Sequence, residues 1–233
     1  MTTITDRLAI AQHRITQAAQ NASRRPQDVQ LLAVSKTKPN EYIIEAYQAG
    51  QRRFGENYVQ EGETKINALS QDYPDIEWHF IGPLQSNKTK VVASLFDWMH
   101  TVDREKIAQR LNDQRPDGKP ALNICIQVNI SLEESKSGAL AADVLELADK
   151  VALLPNIKLR GLMAIPSADV DEQTASAELA ALQALFNQLA ERHSSVDTLS
   201  VGMSNDLELA VNHGSTMVRI GSAIFGERDY SKA

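Results

Sequence analysis

A single cysteine, Cys125, is all the sulfhydryl chemistry this sequence has, so an internal disulfide is excluded. No Cys/His cluster has the spacing of a zinc site, and no metal centre is expected. Cys125 lies in Ile124-Cys125-Ile126, where it reads as a small buried hydrophobe. Missing too is any apolar run near the roughly 18 residues of a membrane span. The N-terminal stretch carries Asp6, Arg7, His13 and Arg14 among its apolar positions, with no h-region or cleavage site, so it is not a secretory signal. These absences predict a cytoplasmic chain. Positive charge is also short: 24 Lys and Arg against 30 Asp and Glu give a net charge of −6. That argues against a nucleic acid as the main partner, because such proteins usually carry a basic excess. No G-x-G-x-x-G follows the first predicted strand, and no G-x-x-x-x-G-K-[ST] occurs anywhere.

What is there is a regular alternation. Ile4, Leu8, Ala11 and Ile15 fall at helical spacing and predict an opening amphipathic helix over 4–21. Eight β-rich runs follow, at 29–35, 52–54, 77–81, 98–102, 122–130, 157–165, 198–201 and 217–220. Between them lie helical stretches at 41–49, 58–69, 88–95, 104–112, 139–153, 172–192 and 207–212. Strict βα alternation implies parallel strands joined by right-handed crossovers. Eight of them close into a (β/α)₈ TIM barrel, which needs about 200–250 residues. The chain has 233, with no repeat or linker, so residues 1–233 are expected to form a single domain. An open doubly wound sheet is the alternative.

Such barrels build their sites at the C-terminal ends of the strands. The first run delivers Lys36 to that rim after Leu31-Leu32-Ala33-Val34-Ser35. A lysine at a strand end usually points into solvent. In a barrel mouth, partial desolvation lowers its pKa and makes it a Schiff-base nucleophile. The loops after strands seven and eight, the recurrent phosphate site of these barrels, supply Ser204 and Asn205, then Gly221 and Ser222. The plainer reading is capping, with Asn205 and Glu208 as a loose capping box. A Schiff-base lysine facing a phosphate cradle suggests pyridoxal 5′-phosphate (PLP), an aldehyde with a phosphate across its ring. Arg219 lies between Val218 and Ile220, and alternation puts it on the opposite face. It needs a partner there: a barrel carboxylate, the pyridine nitrogen or the phosphate. His79, between Trp78 and Phe80, reads as a packed, hydrogen-bonded histidine rather than a catalyst. Lys136, in the charged run from Glu133 to Gly138, reads as solvated.

Several blocks carry a resemblance. They are Ala33-Val34-Ser35-Lys36, Phe54-Gly55-Glu56-Asn57-Tyr58, Trp78-His79-Phe80-Ile81-Gly82-Pro83, Gly161-Leu162-Met163-Ala164-Ile165-Pro166, Gly202-Met203-Ser204-Asn205 and Met217-Val218-Arg219-Ile220-Gly221. In this order they resemble the YggS/PROSC family of PLP-binding proteins, which acts in PLP homeostasis, over essentially the whole chain. The resemblance implies an alanine racemase N-terminal barrel (PLP fold type III) without the C-terminal β domain of the racemases. It implies PLP as a Schiff base on Lys36, with Asn57, Met163, Ser204, Arg219, Gly221 and Ser222 lining the pocket. Ser204, Gly221 and Ser222 would hold the phosphate, and Arg219 would lie near the ring nitrogen or reach the phosphate. It further implies a monomeric cofactor carrier or buffer, with PLP-dependent apo-enzymes as acceptors and no ordinary PLP-enzyme turnover. The alternatives are a racemase-like PLP enzyme of unknown substrate with Lys36 as base, and a cofactor-free aldolase.

Overall fold

The computed structural model describes residues 2–133, 136–167 and 170–227, so Glu134, Ser135 and Tyr230 lie outside the described residues. In chain order come α1 (Ile4–Asn21), β1 (Gln30–Val34), α2 (Asn40–Gln48), β2 (Arg53–Glu56), α3 (Val59–Leu69), β3 (Glu77–Phe80), α4 (Thr89–Leu95) and β4 (Trp98–Val102). They are followed by α5 (Glu105–Gln114), β5 (Leu122–Val128), α6 (Val144–Ala152), β6 (Ile157–Ala164), α7 (Glu172–Arg192), β7 (Thr198–Ser200), α8 (Leu207–Asn212), β8 (Met217–Ile220) and α9 (Ser222–Phe225). Every neighbouring pair of strands is parallel, and β1 pairs with β8, so the sheet closes and the open doubly wound alternative is excluded.

Local chemistry sets the element ends. Thr3 opens α1 with a reciprocal capping box: its hydroxyl accepts from the Asp6 N–H, and the Asp6 carboxylate accepts from the Thr3 N–H. The buried stripe of Ile4, Leu8, Ala11 and Ile15 packs α1 against α8 and α9. Strand β5 stops at Val128 rather than at residue 130, because the Asn129 side chain turns the backbone by donating to the Glu133 and Lys136 carbonyls. The short α9 was not predicted, since four residues are too few to show a helical period.

Alternation sorts each strand between two environments. Outward residues such as Met99, Ile124, Ile126, Leu162, Val218 and Ile220 belong to the main core under the helices. Inward residues include a separate apolar cluster of Trp98, Cys125 and Met163, together with the buried polar groups His79, His100, Ser200 and Arg219. Cys125 is the buried hydrophobe expected, and burial pushes its thiol up to about 12. The barrel is packed below and polar near its mouth.

Candidate functional site

A cavity of about 280 Å³ opens at the C-terminal ends of the strands. That is just under the ~300–1,000 Å³ common for small-molecule pockets. Lys36, Asn57, Met163, Ser204, Arg219, Gly221 and Ser222 all line it, brought together from β1, β2, β6, β7 and β8. Val34, Lys38, Ile81, Ile165, Met203, Asn205 and Gly226 complete the wall. Lys38 is not among the lining residues expected from the sequence, because only the turn after Lys36 brings it back to the mouth; its Nζ donates to the Glu227 carbonyl.

The two loops on the far side are fixed by different means. Arg14 of α1 donates to the Ser204 carbonyl at 3.0 Å and pairs with Glu208 at 2.8 Å. The Met203 N–H donates to Asp206 Oδ1 at 2.6 Å, and Asp206 stands at the helix start. The Asn205–Glu208 capping box suggested by the sequence is therefore not formed: Glu208 is engaged by Arg14 instead. After β8, a Cβ on Gly221 would lie 3.2 Å from the Val34 carbonyl oxygen, so glycine lets this loop approach β1 closely. The first N–H groups of α9 have no carbonyl within their own helix to bond. On the near side, a Cβ on Gly82 would fall 2.0 Å from the Asn57 carbonyl oxygen. Only glycine tolerates that contact, which seats Asn57. Its Oδ1 is buried without a hydrogen-bond partner.

Arg219 is 5% exposed and forms the cavity floor. Its Nη1 donates to the Ser200 carbonyl at 2.6 Å and to Ser200 Oγ at 2.9 Å, and its Nη2 donates to the Ala164 carbonyl at 2.9 Å. No carboxylate pairs with it among the described residues, so the ion pair allowed by the sequence is absent and oriented carbonyls take its place. Burial lowers its guanidinium to about 10. Below Ser200 a column of groups continues. His100 Nδ1 lies 3.0 Å from Ser200 Oγ, His79 Nδ1 lies 2.8 Å from His100 Nε2, and His79 Nε2 lies 2.8 Å from Glu77 Oε1. His79 also stacks on Trp98, so its packed, hydrogen-bonded role is met. Burial holds both imidazoles below the usual histidine value, His100 more strongly.

Behind Lys36 lies a second buried network. Lys65 Nζ donates to the Ser35 carbonyl and to Glu56 Oε1, each at 2.8 Å, and to Glu61 Oε1 at 2.6 Å. Burial pushes the Glu56 carboxyl up to about 7, against the pull of Lys65 and the Ser35 hydroxyl. Sequence reasoning missed this network. Glu61 and Lys65 show the four-residue spacing of a helix pair, but nothing in the sequence brings Glu56 and Ser35 to them. Lys136 is not simply solvated: it pairs with Glu133 at 2.8 Å, donates to the Pro166 carbonyl at 3.2 Å and lines an adjoining cavity of about 210 Å³.

A family model described as alanine racemase, N-terminal domain, matches residues 7–229. The chain is 55% identical over 234 residues to the pyridoxal phosphate homeostasis protein of Escherichia coli (strain K12), covering 100% of both. It is 56% identical to the protein of that name from Pasteurella multocida, covering 99% of this chain and 100% of the other. Among solved structures it is similar to PipY of Synechococcus elongatus with PLP bound, at TM-score 0.81 and 35% identity, over 96% of this chain and 100% of that one. It is also similar to alanine racemase from Corynebacterium glutamicum, at TM-score 0.66 and 16% identity, over 95% of this chain and 62% of that one. At 16% identity the likeness is one of fold alone.

Proposed function

The chain belongs to the pyridoxal phosphate homeostasis proteins, a family built on the alanine racemase N-terminal domain, and from that premise we propose that it binds PLP and acts as a carrier or buffer of the cofactor. The observation that carries this reading is the single cavity on which Lys36, Asn57, Met163, Ser204, Arg219, Gly221 and Ser222 converge. Its chemistry suits PLP. A lysine stands at the mouth, hydroxyls and a glycine-bearing loop form the far wall, a buried arginine closes the floor, and Asn57 offers an unpartnered oxygen. When bound, the cofactor supplies a reactive aldehyde and an electron-withdrawing ring.

The chain's own groups divide the work. The Lys36 amine would hold the aldehyde, covalently yet reversibly, with one water released on binding. Ser204, Gly221 and Ser222 take the phosphate. Arg219, tied to the ends of β6 and β7, would meet the ring nitrogen as a donor and so favour its unprotonated form. Among the described residues no tyrosine, histidine or cysteine lines the cavity to serve as a second acid–base group. Residues 1–233 work as one monomeric PLP-binding barrel that delivers cofactor to PLP-dependent apo-enzymes. The test is transfer: loaded protein is mixed with an apo-enzyme, and its reactivation is timed against PLP release into buffer. Reactivation faster than release supports direct delivery, whereas the absence of any bound PLP would end the reading.

A further inference from the structure

The turn that carries Lys36 is held in an unfavourable conformation, and two buried charged groups and one half-buried one hold it there. Thr37 has φ of +62°, in the left-handed region that a β-branched residue rarely enters. Its N–H donates to Glu61 Oε1 at 2.6 Å. On the other side of Lys36, the Ser35 carbonyl accepts from Lys65 Nζ at 2.8 Å, and the Ser35 hydroxyl donates to Glu56 Oε1 at 2.6 Å. Both neighbours of Lys36 are thus gripped by one network, in which Lys65 joins Glu56 and Glu61. The side chains of Lys65 and Glu56 are 6% and 0% exposed. Gly62 lets α3 pack closely on Phe96 and on Glu56 of β2, since a Cβ there would lie 2.5 Å from Phe96 Cζ and 3.5 Å from Glu56 Cβ.

Stability does not account for this arrangement. Buried ion pairs are often replaceable by apolar residues without loss, because desolvation offsets their attraction. Left-handed backbone at a threonine is a cost, and such strain persists only where surrounding groups over-determine it. Here both costs fall on the one turn that presents Lys36 to the cavity. We infer that Glu56, Glu61 and Lys65 are positioning residues for Lys36: they lock the turn at 35–37 so that the lysine amine is aimed at the aldehyde of a phosphate-anchored ligand. The inference rests on the reading of Lys36 as the PLP-bearing residue.

The experiment separates aim from affinity. Apo-protein is mixed with PLP, and the rate and yield of the borohydride-reducible adduct on Lys36 are followed. Binding of 4′-deoxypyridoxine 5′-phosphate, which keeps the ring and phosphate but cannot react with an amine, is measured in parallel. Glu61→Leu leaves Lys65 paired with Glu56, and Lys65→Met is combined with Glu56→Gln so that no fully buried carboxylate is left unpaired. Each should slow adduct formation at least tenfold and change analogue affinity less than twofold. Thr37→Gly, which adopts the turn without strain, should recover several-fold of the rate lost in Glu61→Leu. Unchanged adduct rates, an equal loss of analogue binding, or no recovery with Thr37→Gly would overturn the inference. A wild-type protein that forms no Lys36 adduct at all would instead overturn the reading beneath it.

Discussion

Arg219 donates to Ser200 Oγ at 2.9 Å, and below that bond a column of hydrogen bonds runs in one direction. A guanidinium only donates and the Glu77 carboxylate at the far end only accepts, so with both rings neutral the Ser200 hydroxyl proton is directed at His100 Nδ1. His100 must then carry its proton on Nε2 and donate to His79 Nδ1, and the His79 Nε2 proton ends on Glu77. One direction of donation satisfies the whole column with both rings neutral. Nitrogen NMR should show both histidines as the Nε2–H tautomer between pH 6.5 and 8, and an imidazolium in that range would refute the assignment.

The pH dependence of stability should contain two opposed contributions. His79 and His100 are lowered by burial, so below the ordinary histidine value of about 6.5 the unfolded chain takes up protons that the folded one refuses. Stability from these groups is lost as pH falls. Glu56, raised from 4.5 to about 7, behaves in the reverse sense, and its contribution is lost as pH rises through that window. Each group can change stability by at most about 1.4 kcal/mol per pH unit. Denaturant titrations of Glu56→Gln should therefore climb more steeply from pH 5 to 6.5 than those of the parent. Parallel curves would show that Glu56 does not titrate there.

If Lys36 bears the cofactor, borohydride reduction and peptide mapping will place the pyridoxyl group on Lys36. An adduct confined to Lys38, which shares the cavity, or to Lys136 in the adjoining one would refute the assignment. Lys36→Ala should lose the covalent absorbance while keeping weak, phosphate-held cofactor.

Ser204→Ala should weaken PLP about tenfold or more, since a hydrogen bond to a charged group contributes roughly 1.5–3 kcal/mol. Pyridoxal, which has no phosphate, should be almost unaffected. Equal losses for both ligands would reduce Ser204 to a loop residue.

Loaded protein incubated with L-alanine in deuterated water should exchange Cα hydrogen far below the enzyme median of about 10 s⁻¹. Racemisation needs a base on each face, and a positioned acid–base group contributes about 10²–10⁴-fold. Exchange at enzymatic rates, abolished by Lys36→Ala, would favour the racemase-like alternative.

Much of this molecule is legible in its sequence. The opening helix, the eight strands and the rim position of Lys36 follow from apolar period and alternation, because each element buries one face. The interior column was not legible. His79 drew notice from its aromatic neighbours, but its bond to His100 depends on how β3 and β4 lie beside each other inside the barrel. The same holds for Glu56, which meets Ser35 only because β1 and β2 pair with Val34 opposite Gly55. Local pattern carries the elements, and register carries the polar contacts between them.

The barrel closes by pairing its first strand with its last, Leu32 opposite Arg219. Ribosomes add about 5–20 residues per second, so Lys36 is made roughly 10–40 s before Ser222. During that interval the cavity is unclosed. The apolar stripe of α1 is also left largely uncovered, because α8 and α9, which pack on it, are the last of the described helices to emerge. A nascent or truncated chain therefore displays a sticky helix rather than a partial pocket, and an occupied cavity certifies that synthesis has run past the final strand.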